Sequence, residues 1–262
     1  MEPKSVVVTG ATGFIGSDLV YRLWQAGIGV IGLTRALDPT TPFLPVLLDL
    51  LDETGTLPER PAGDLIGLIH LAGHAPGSTR DPARLHELGT ARAVRLAQHW
   101  NIPKLVFLSA HGATLSAPTA FQQSKWMAEE MVAHSGIPFV ILRPHLVLGT
   151  GSRTPDRLER LGRCPDAAVR PVHVADVGET LVRSLWLDRA DGKRYELAGP
   201  ELVSLSSLAK DTSRSFIRRR RPVPPRELDA WGFLVPRHNQ ADGAWVSDFG
   251  ILPRPIQRAR NP

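Results

Sequence analysis

The spacing of apolar positions changes period repeatedly along the chain, and each change marks an element. Residues 6–9 form a short β-branched run ending in glycines. Ile15, Leu19 and Leu23, flanked by Val20 and Trp24, then recur at helical spacing until Gly27. The pattern predicts strand, loop, helix. Further strands are expected at 29–33, 46–48 and 65–70, and a long helix at 81–99, capped by Asp81 with Pro82 in its first turn. A fifth strand is expected at 105–108, a helix at 119–134 with Gly136 beyond its end, and a strand at 139–142 halted by Arg143-Pro144. Apolar strands alternating with helices imply a parallel sheet covered on both faces, a doubly wound α/β fold.

Past Gly149 the periodicity weakens. Residues 150–171 are polar and arginine-rich, followed by an expected strand at 172–174, a helix at 176–187 and a strand at 195–198. The expected division is a main α/β domain at 1–144 and a small lobe at 145–262. The lobe is interleaved with the main sheet, ends in a basic tail, and serves as a substrate lid. Such a lobe belongs over the carboxyl ends of the strands, where ligands bind in these sheets.

Composition narrows the class. The 262 residues are 42% hydrophobic and 22% charged, which excludes disorder as the main state. No apolar run approaches the roughly 20 residues of a membrane helix, and the first residues lack the apolar stretch of a signal peptide, so a cytoplasmic protein is expected. Cys164 is the only cysteine, which forbids an internal disulfide and a multi-cysteine metal site. No metal-ligand spacing is recognised among His74, His86, His145 and His173, and no metal is expected.

The net charge of +5 is a property of the tail: from Arg214 onward ten arginines face four acids, while the rest of the chain is close to balance. That distribution argues against a chain-wide nucleic-acid-binding face. The run of arginines at 218–221 reads either as a solvated charge run or as a contact for an acidic partner.

Thr9-Gly10-Ala11-Thr12-Gly13-Phe14-Ile15-Gly16 sets three glycines at intervals of three, after a predicted strand and before a predicted helix. In that context Gly10 serves the tight turn, Gly13 the approach of backbone to a pyrophosphate, and Gly16 the packing of helix on strand. The helix N-terminus offers free amides to the phosphates. This predicts a dinucleotide site. Where NAD-binding units carry an acid at the end of the second strand, this chain has Thr34-Arg35, with Asp38 close by. An arginine there suits the 2′-phosphate of NADP, so NADP(H) is favoured over NAD(H). Asp49, after the third strand, reads either as an acceptor for the adenine amino group or as a turn-forming aspartate.

With these blocks in hand the chain resembles the short-chain dehydrogenase/reductase superfamily, in its extended and atypical branch of NAD-dependent epimerase/dehydratase-like proteins. The resemblance runs through the glycine loop, His70-Leu71-Ala72-Gly73, Leu108-Ser109-Ala110, Ser124-Lys125, Leu142-Arg143-Pro144, 171–177 and Leu197-Ala198-Gly199-Pro200, with an echo at Asp248-Phe249-Gly250. It implies a Rossmann domain with a small C-terminal substrate lobe. It also adds Thr12, Phe14, Ile15, Leu50, Leu71, Ala72 and Gly73 to the cofactor-binding set, and makes a homodimer through the two long helices an expectation.

The chemistry implied by the resemblance is hydride transfer, with a tyrosine as acid or base and a lysine four residues on, one helical turn away, holding the nicotinamide ribose. Lys125 matches the lysine, but the tyrosine position is Phe121, and the chain's two tyrosines, Tyr21 and Tyr195, lie elsewhere. Ser109 is the serine nearest the family's serine position, although the usual spacing falls nearer His111. Two readings follow. One is an NADP(H)-dependent oxidoreductase of atypical type acting on a small molecule, with Lys125 on the ribose and His111 or Ser109 polarising the substrate. The other is a catalytically inactive nucleotide-binding assembly or regulatory protein, similar to the nucleotide-binding accessory subunit of respiratory complex I, whose tail meets a partner.

Overall fold

The computed structural model describes residues 3–53, 55–74, 83–152, 154, 168–205, 207–208 and 243–256. Its elements in chain order are β1 (Lys4–Thr9), α1 (Phe14–Gln25), β2 (Gly29–Thr34), β3 (Leu44–Leu47), β4 (Asp64–His70), a π-helical turn (Arg84–Leu88) running into α2 (Gly89–His99), β5 (Leu105–Leu108) and α3 (Ala120–Ala133). They continue with β6 (Phe139–Pro144), β7 (Val147–Leu148), β8 (Ala168–Val169), β9 (Val172–His173), α4 (Val174–Ser184), β10 (Lys193–Leu197), β11 (Val203–Ser204) and α5 (Gly243–Phe249).

Seven strands form a parallel sheet in the order β10-β6-β5-β4-β1-β2-β3. The order reverses between β1 and β4, so the loops after these two strands diverge and leave a crevice at their carboxyl ends. This is the Rossmann-type doubly wound architecture expected from the sequence. The valine run of β1 shows how the layers are built. Val6 and Val8 face a core shared with Leu19 and Leu23 of α1, Leu181 of α4 and Trp245 of α5. Val7 faces the opposite core, with Leu96 and Trp100 beside α2 and Ala128 of α3. Each fully buried Val or Leu contributes about 1.5–3 kcal/mol over an exposed one, which fixes the strand register against a one-residue slip.

Described residues beyond 144 add to the sheet and to the helix layer. β10 pairs with β6 at the sheet edge, and α4 packs on α1, where a side chain at Gly178 would collide with Asp18 and Arg22. β7 pairs with β9, and β8 with β11, as two small sheets near the carboxyl ends of β6 and β10. Arg254, at the far end of the described chain, ion-pairs with the buried Asp176 of α4.

Three expected elements are corrected. The helix expected at 81–99 is π-helical over Arg84–Leu88 before it becomes α-helical; its expected cap, Asp81-Pro82, lies outside the described residues. The third strand occupies Leu44–Leu47 rather than 46–48, because its register is set by pairing Ile31 with Leu44. The helix expected at 176–187 begins at Val174, since the His173 ring accepts a hydrogen bond from the amide of Ala175 and caps it. Cys164 and the arginines at 218–221 also lie outside the described residues. Among the described residues, no helix is long and apolar enough to cross a membrane.

Candidate functional site

The glycine loop lies at the point where strand order reverses. Gly10 has φ +72°, and a Cβ there would sit 3.0 Å from the amide nitrogen of Ala72, so the loop after β4 runs directly beside it. A Cβ on Gly16 would run into the Gly10 carbonyl and the Ala11 backbone. Gly13 is different. Its φ of −77° suits any residue, and the nearest atom to an added Cβ is the Gly10 oxygen at 3.2 Å, with nothing beyond it. Glycine here preserves an open approach to the backbone.

Gly13 caps α1, but among the described residues no side chain caps the helix, and no acid occupies its first turn. The first-turn amides, including those of Phe14, Ile15 and Gly16, therefore have neither an intrahelical partner nor a side-chain cap. Thr12 and Gly13 are exposed beside them. An open glycine face over uncapped helix amides fits a pyrophosphate.

Thr9 ties this loop to the next. Its hydroxyl accepts the amides of Leu71 (3.1 Å) and Ala72 (3.0 Å) and lies 2.6 Å from Nδ1 of His70. Having accepted twice, it donates to Nδ1, which leaves His70 neutral with its Nε2 proton on Thr90, 3.0 Å away. Burial, then the charge of Lys125, push the His70 pKa down to about 3. The loop bearing Leu71, Ala72 and Gly73 is thus clamped against the glycine loop.

Lys125 of α3 is buried, donates to the Leu108 carbonyl at 2.9 Å, and lies over the Phe107 ring. Burial lowers its pKa to about 8, so it stays mainly protonated at neutral pH, helped by Glu129. One bond leaves two of its three N–H groups for ribose hydroxyls. A Cβ on Gly73 would stand 3.2 Å from His86 Nε2 and 3.3 Å from its Nζ, so a side chain at 73 would crowd both groups.

His86, which the sequence reading set aside, meets Lys125 and Phe121 here. Its Nε2 accepts the amide of His74 at 3.1 Å, so Nδ1 carries the proton, 2.9 Å from the Ser124 hydroxyl, which itself donates to the Phe121 carbonyl. Burial, then Lys125, hold its pKa down to about 2. The rings of His86 and Phe121 pack edge to face at 5.3 Å. This buried neutral imidazole has both nitrogens occupied.

The two polarisers expected from the sequence, Ser109 and His111, are each hydrogen-bonded to a carboxylate. Ser109 donates at 2.5 Å to Glu129, a fully buried carboxylate that also accepts from Arg143 through both oxygens and from Arg194. Its proton is committed. His111 bonds through Nδ1 to Glu196 at 2.8 Å and stacks on His145 at 3.7 Å, beyond the carboxyl ends of β5 and β6. Burial, then His111 and Arg170, push the His145 pKa down to about 3. Tyr21 is exposed, and Tyr195 is buried with its hydroxyl on Asp248, so neither reaches the Phe121 position.

At the opposite end of the crevice, exposed Arg35 and Asp49 line a cavity of about 410 Å³ that Leu48, Thr56 and Arg92 also border. Asp49 accepts the amide of Leu51, the geometry of a turn-forming aspartate, and Leu50 is buried behind it. Arg92 is buried; its Nε and one terminal nitrogen lack hydrogen-bond partners among the described residues.

Fold and loop together define a Rossmann-type dinucleotide-binding protein. Residues 6–185 match the model of the NAD dependent epimerase/dehydratase family, and the chain belongs to that family. It is 28% identical over 224 residues to NADH dehydrogenase [ubiquinone] 1 alpha subcomplex subunit 9, mitochondrial, of Arabidopsis thaliana, covering 78% of this chain and 56% of that protein. It is 23% identical over 232 residues to the mitochondrial NADH-ubiquinone oxidoreductase 40 kDa subunit of Neurospora crassa, covering 84% and 62%. The chain thus spans less than two thirds of either relative. Among solved structures, MoeE5 in complex with UDP-glucuronic acid and NAD superposes with a TM-score of 0.73 at 21% identity, covering 97% of this chain and 95% of that one, which shows a shared fold.

Proposed function

We propose that this protein binds NAD(P)(H), NADP(H) in preference to NAD(H), and retains it without the tyrosine-assisted exchange of hydride between alcohols and carbonyls. The observation that carries the reading is the surrounding of Phe121: an apolar ring stands where the family's phenol would be, packed on a neutral imidazole whose nitrogens are both bonded. When bound, the nicotinamide supplies hydride chemistry. The chain's own residues would hold the molecule: the amides after Gly13 at the pyrophosphate, Lys125 at the ribose hydroxyls, and Arg35 at the 2′-phosphate. The two mitochondrial relatives, named as subunits of a respiratory complex, support a partner-binding or assembly role.

A second reading, an oxidoreductase acting on a small molecule, is supported by the His111–Glu196 pair beyond the strand ends. An imidazole hydrogen-bonded to a carboxylate is a common general acid-base arrangement. The two readings separate on one experiment. Freshly purified protein is denatured, the released nucleotide and its redox state are identified, and exchange against added NADPH is timed. A nucleotide retained for hours and unchanged by a carbonyl panel is the expected result. Rapid exchange with turnover would overturn the retention reading.

A further inference from the structure

His111, His145 and Glu196 lie far apart in sequence, yet each offers a ligand atom within 4.8 Å of the others. Three adjacent parallel strands bring them together. His111 follows β5, and its amide bonds to the carbonyl of Pro144; His145 follows β6, and its amide bonds to the carbonyl of Leu197; Glu196 lies on β10, registered against Arg143. The frame is therefore backbone-locked on the rigid part of the fold. His145 is buried, and its Nε2 has no hydrogen-bond partner among the described residues. A buried ring nitrogen left unpaired carries a desolvation cost, which is removed if a ligand occupies the space it faces.

We propose that His111, His145 and Glu196 form a binding site for a first-row divalent cation, of which Zn²⁺ is the natural probe. Two imidazoles and a carboxylate are a recurrent ligand set for such ions, and three protein ligands leave a position open to water or an added molecule. The ion would displace the proton now shared between His111 Nδ1 and Glu196 at 2.8 Å. Two ligands bound at about 2.1 Å with a tetrahedral angle lie about 3.4 Å apart, so that pair must open slightly and His145 must draw in. The rings of His111 and His145, now stacked at 3.7 Å and 24°, must also turn out of parallel so that their in-plane lone pairs converge on the ion. Arg143 lies 3.4 Å from the other oxygen of Glu196, where it would orient the carboxylate from behind. This inference does not depend on whether the dinucleotide is turned over.

The test uses the full chain without a histidine tag, stripped with a chelator and titrated with Zn²⁺ against a chromophoric competitor. Co²⁺ substitution then reports coordination through its visible ligand-field bands. One ion per chain is expected. Glu196→Gln, which preserves shape, and His145→Ala should each weaken binding by about 100-fold or more, beyond the about 10- to 100-fold typical of losing an outer partner, and should erase the Co²⁺ spectrum. His134→Ala, at an exposed histidine on the far end of α3, should change neither. Circular dichroism confirms that each variant is folded. The proposal is overturned if the wild type binds no ion, if Glu196→Gln and His145→Ala bind as wild type, or if His134→Ala weakens binding as much as they do.

Discussion

Phe121 and His86 meet edge to face at 5.3 Å, one on α3 and the other on the π-helical turn before α2. The contact places an aromatic ring without a proton beside an imidazole whose proton is already given to Ser124. Lys125, one turn along α3, is left as a buried cation with ribose-holding geometry but no phenol to tune. On the proposed function, the binding half of the family's chemistry is thereby separated from its acid-base half.

That separation can be probed by restoring the hydroxyl. Phe121→Tyr should leave nucleotide affinity within about twofold and bring slow NADP⁺-dependent oxidation of a panel of secondary alcohols, undetectable in the wild type. General acid-base assistance is worth about 10²–10⁴-fold, so even a poorly oriented phenol should be visible. No gain with any alcohol would show that more than the phenol is missing.

Arg35 is the residue proposed to set the choice of cofactor. It is exposed at the mouth of the adenine-side cavity, where its guanidinium would meet a 2′-phosphate. A charge-assisted hydrogen bond contributes about 1.5–3 kcal/mol, so Arg35→Ala should weaken NADPH by about 10- to 100-fold and NADH little. Equal losses for the two would contradict the NADP(H) preference.

Acid should expose the buried histidines. His70 and His86 have folded pKa values of about 3 and about 2, below their ordinary 6.5, because burial disfavours the imidazolium. Below pH 6.5 the unfolded chain binds protons that the folded chain refuses, so stability is present above that pH and falls as pH drops toward the folded values. The loss should be on the order of 2 kcal/mol per histidine by pH 5, read as a shift in the urea midpoint between pH 7 and pH 5. His86→Asn, which keeps a donor and an acceptor, should flatten the dependence. A wild-type midpoint unchanged at pH 5 would contradict the neutral assignments.

The strands and the glycine loop were legible because they are local: the valine run of β1 encodes two faces by alternation, and three glycines at fixed spacing encode a turn and a helix start. Lys125 was legible through its neighbours on α3. The other site features are non-local. Ser109 can be seen to give its proton to Glu129 only once α3 is packed on β5, and His111 meets Glu196 only because β10 returns beside β6, 85 residues later. His86 was hidden for another reason. It lies in the π-helical turn, whose side-chain spacing departs from the regular helix that the apolar pattern predicts, and its contact with Phe121 crosses to another helix.

The account rests on backbone open to a dinucleotide at Gly13. Equilibrium titration of nucleotide-free protein with NADPH, followed by reduced-nicotinamide fluorescence, tests this directly in wild type and Gly13→Ala. At this position the backbone suits any residue and an added Cβ meets only the Gly10 oxygen at 3.2 Å, so the variant should melt within a few degrees of wild type. The account predicts saturable binding to a single site in the wild type and its weakening by about 10- to 100-fold, the worth of one charge-assisted hydrogen bond, in the folded variant. Equal binding by both proteins, or none by the wild type, would contradict it.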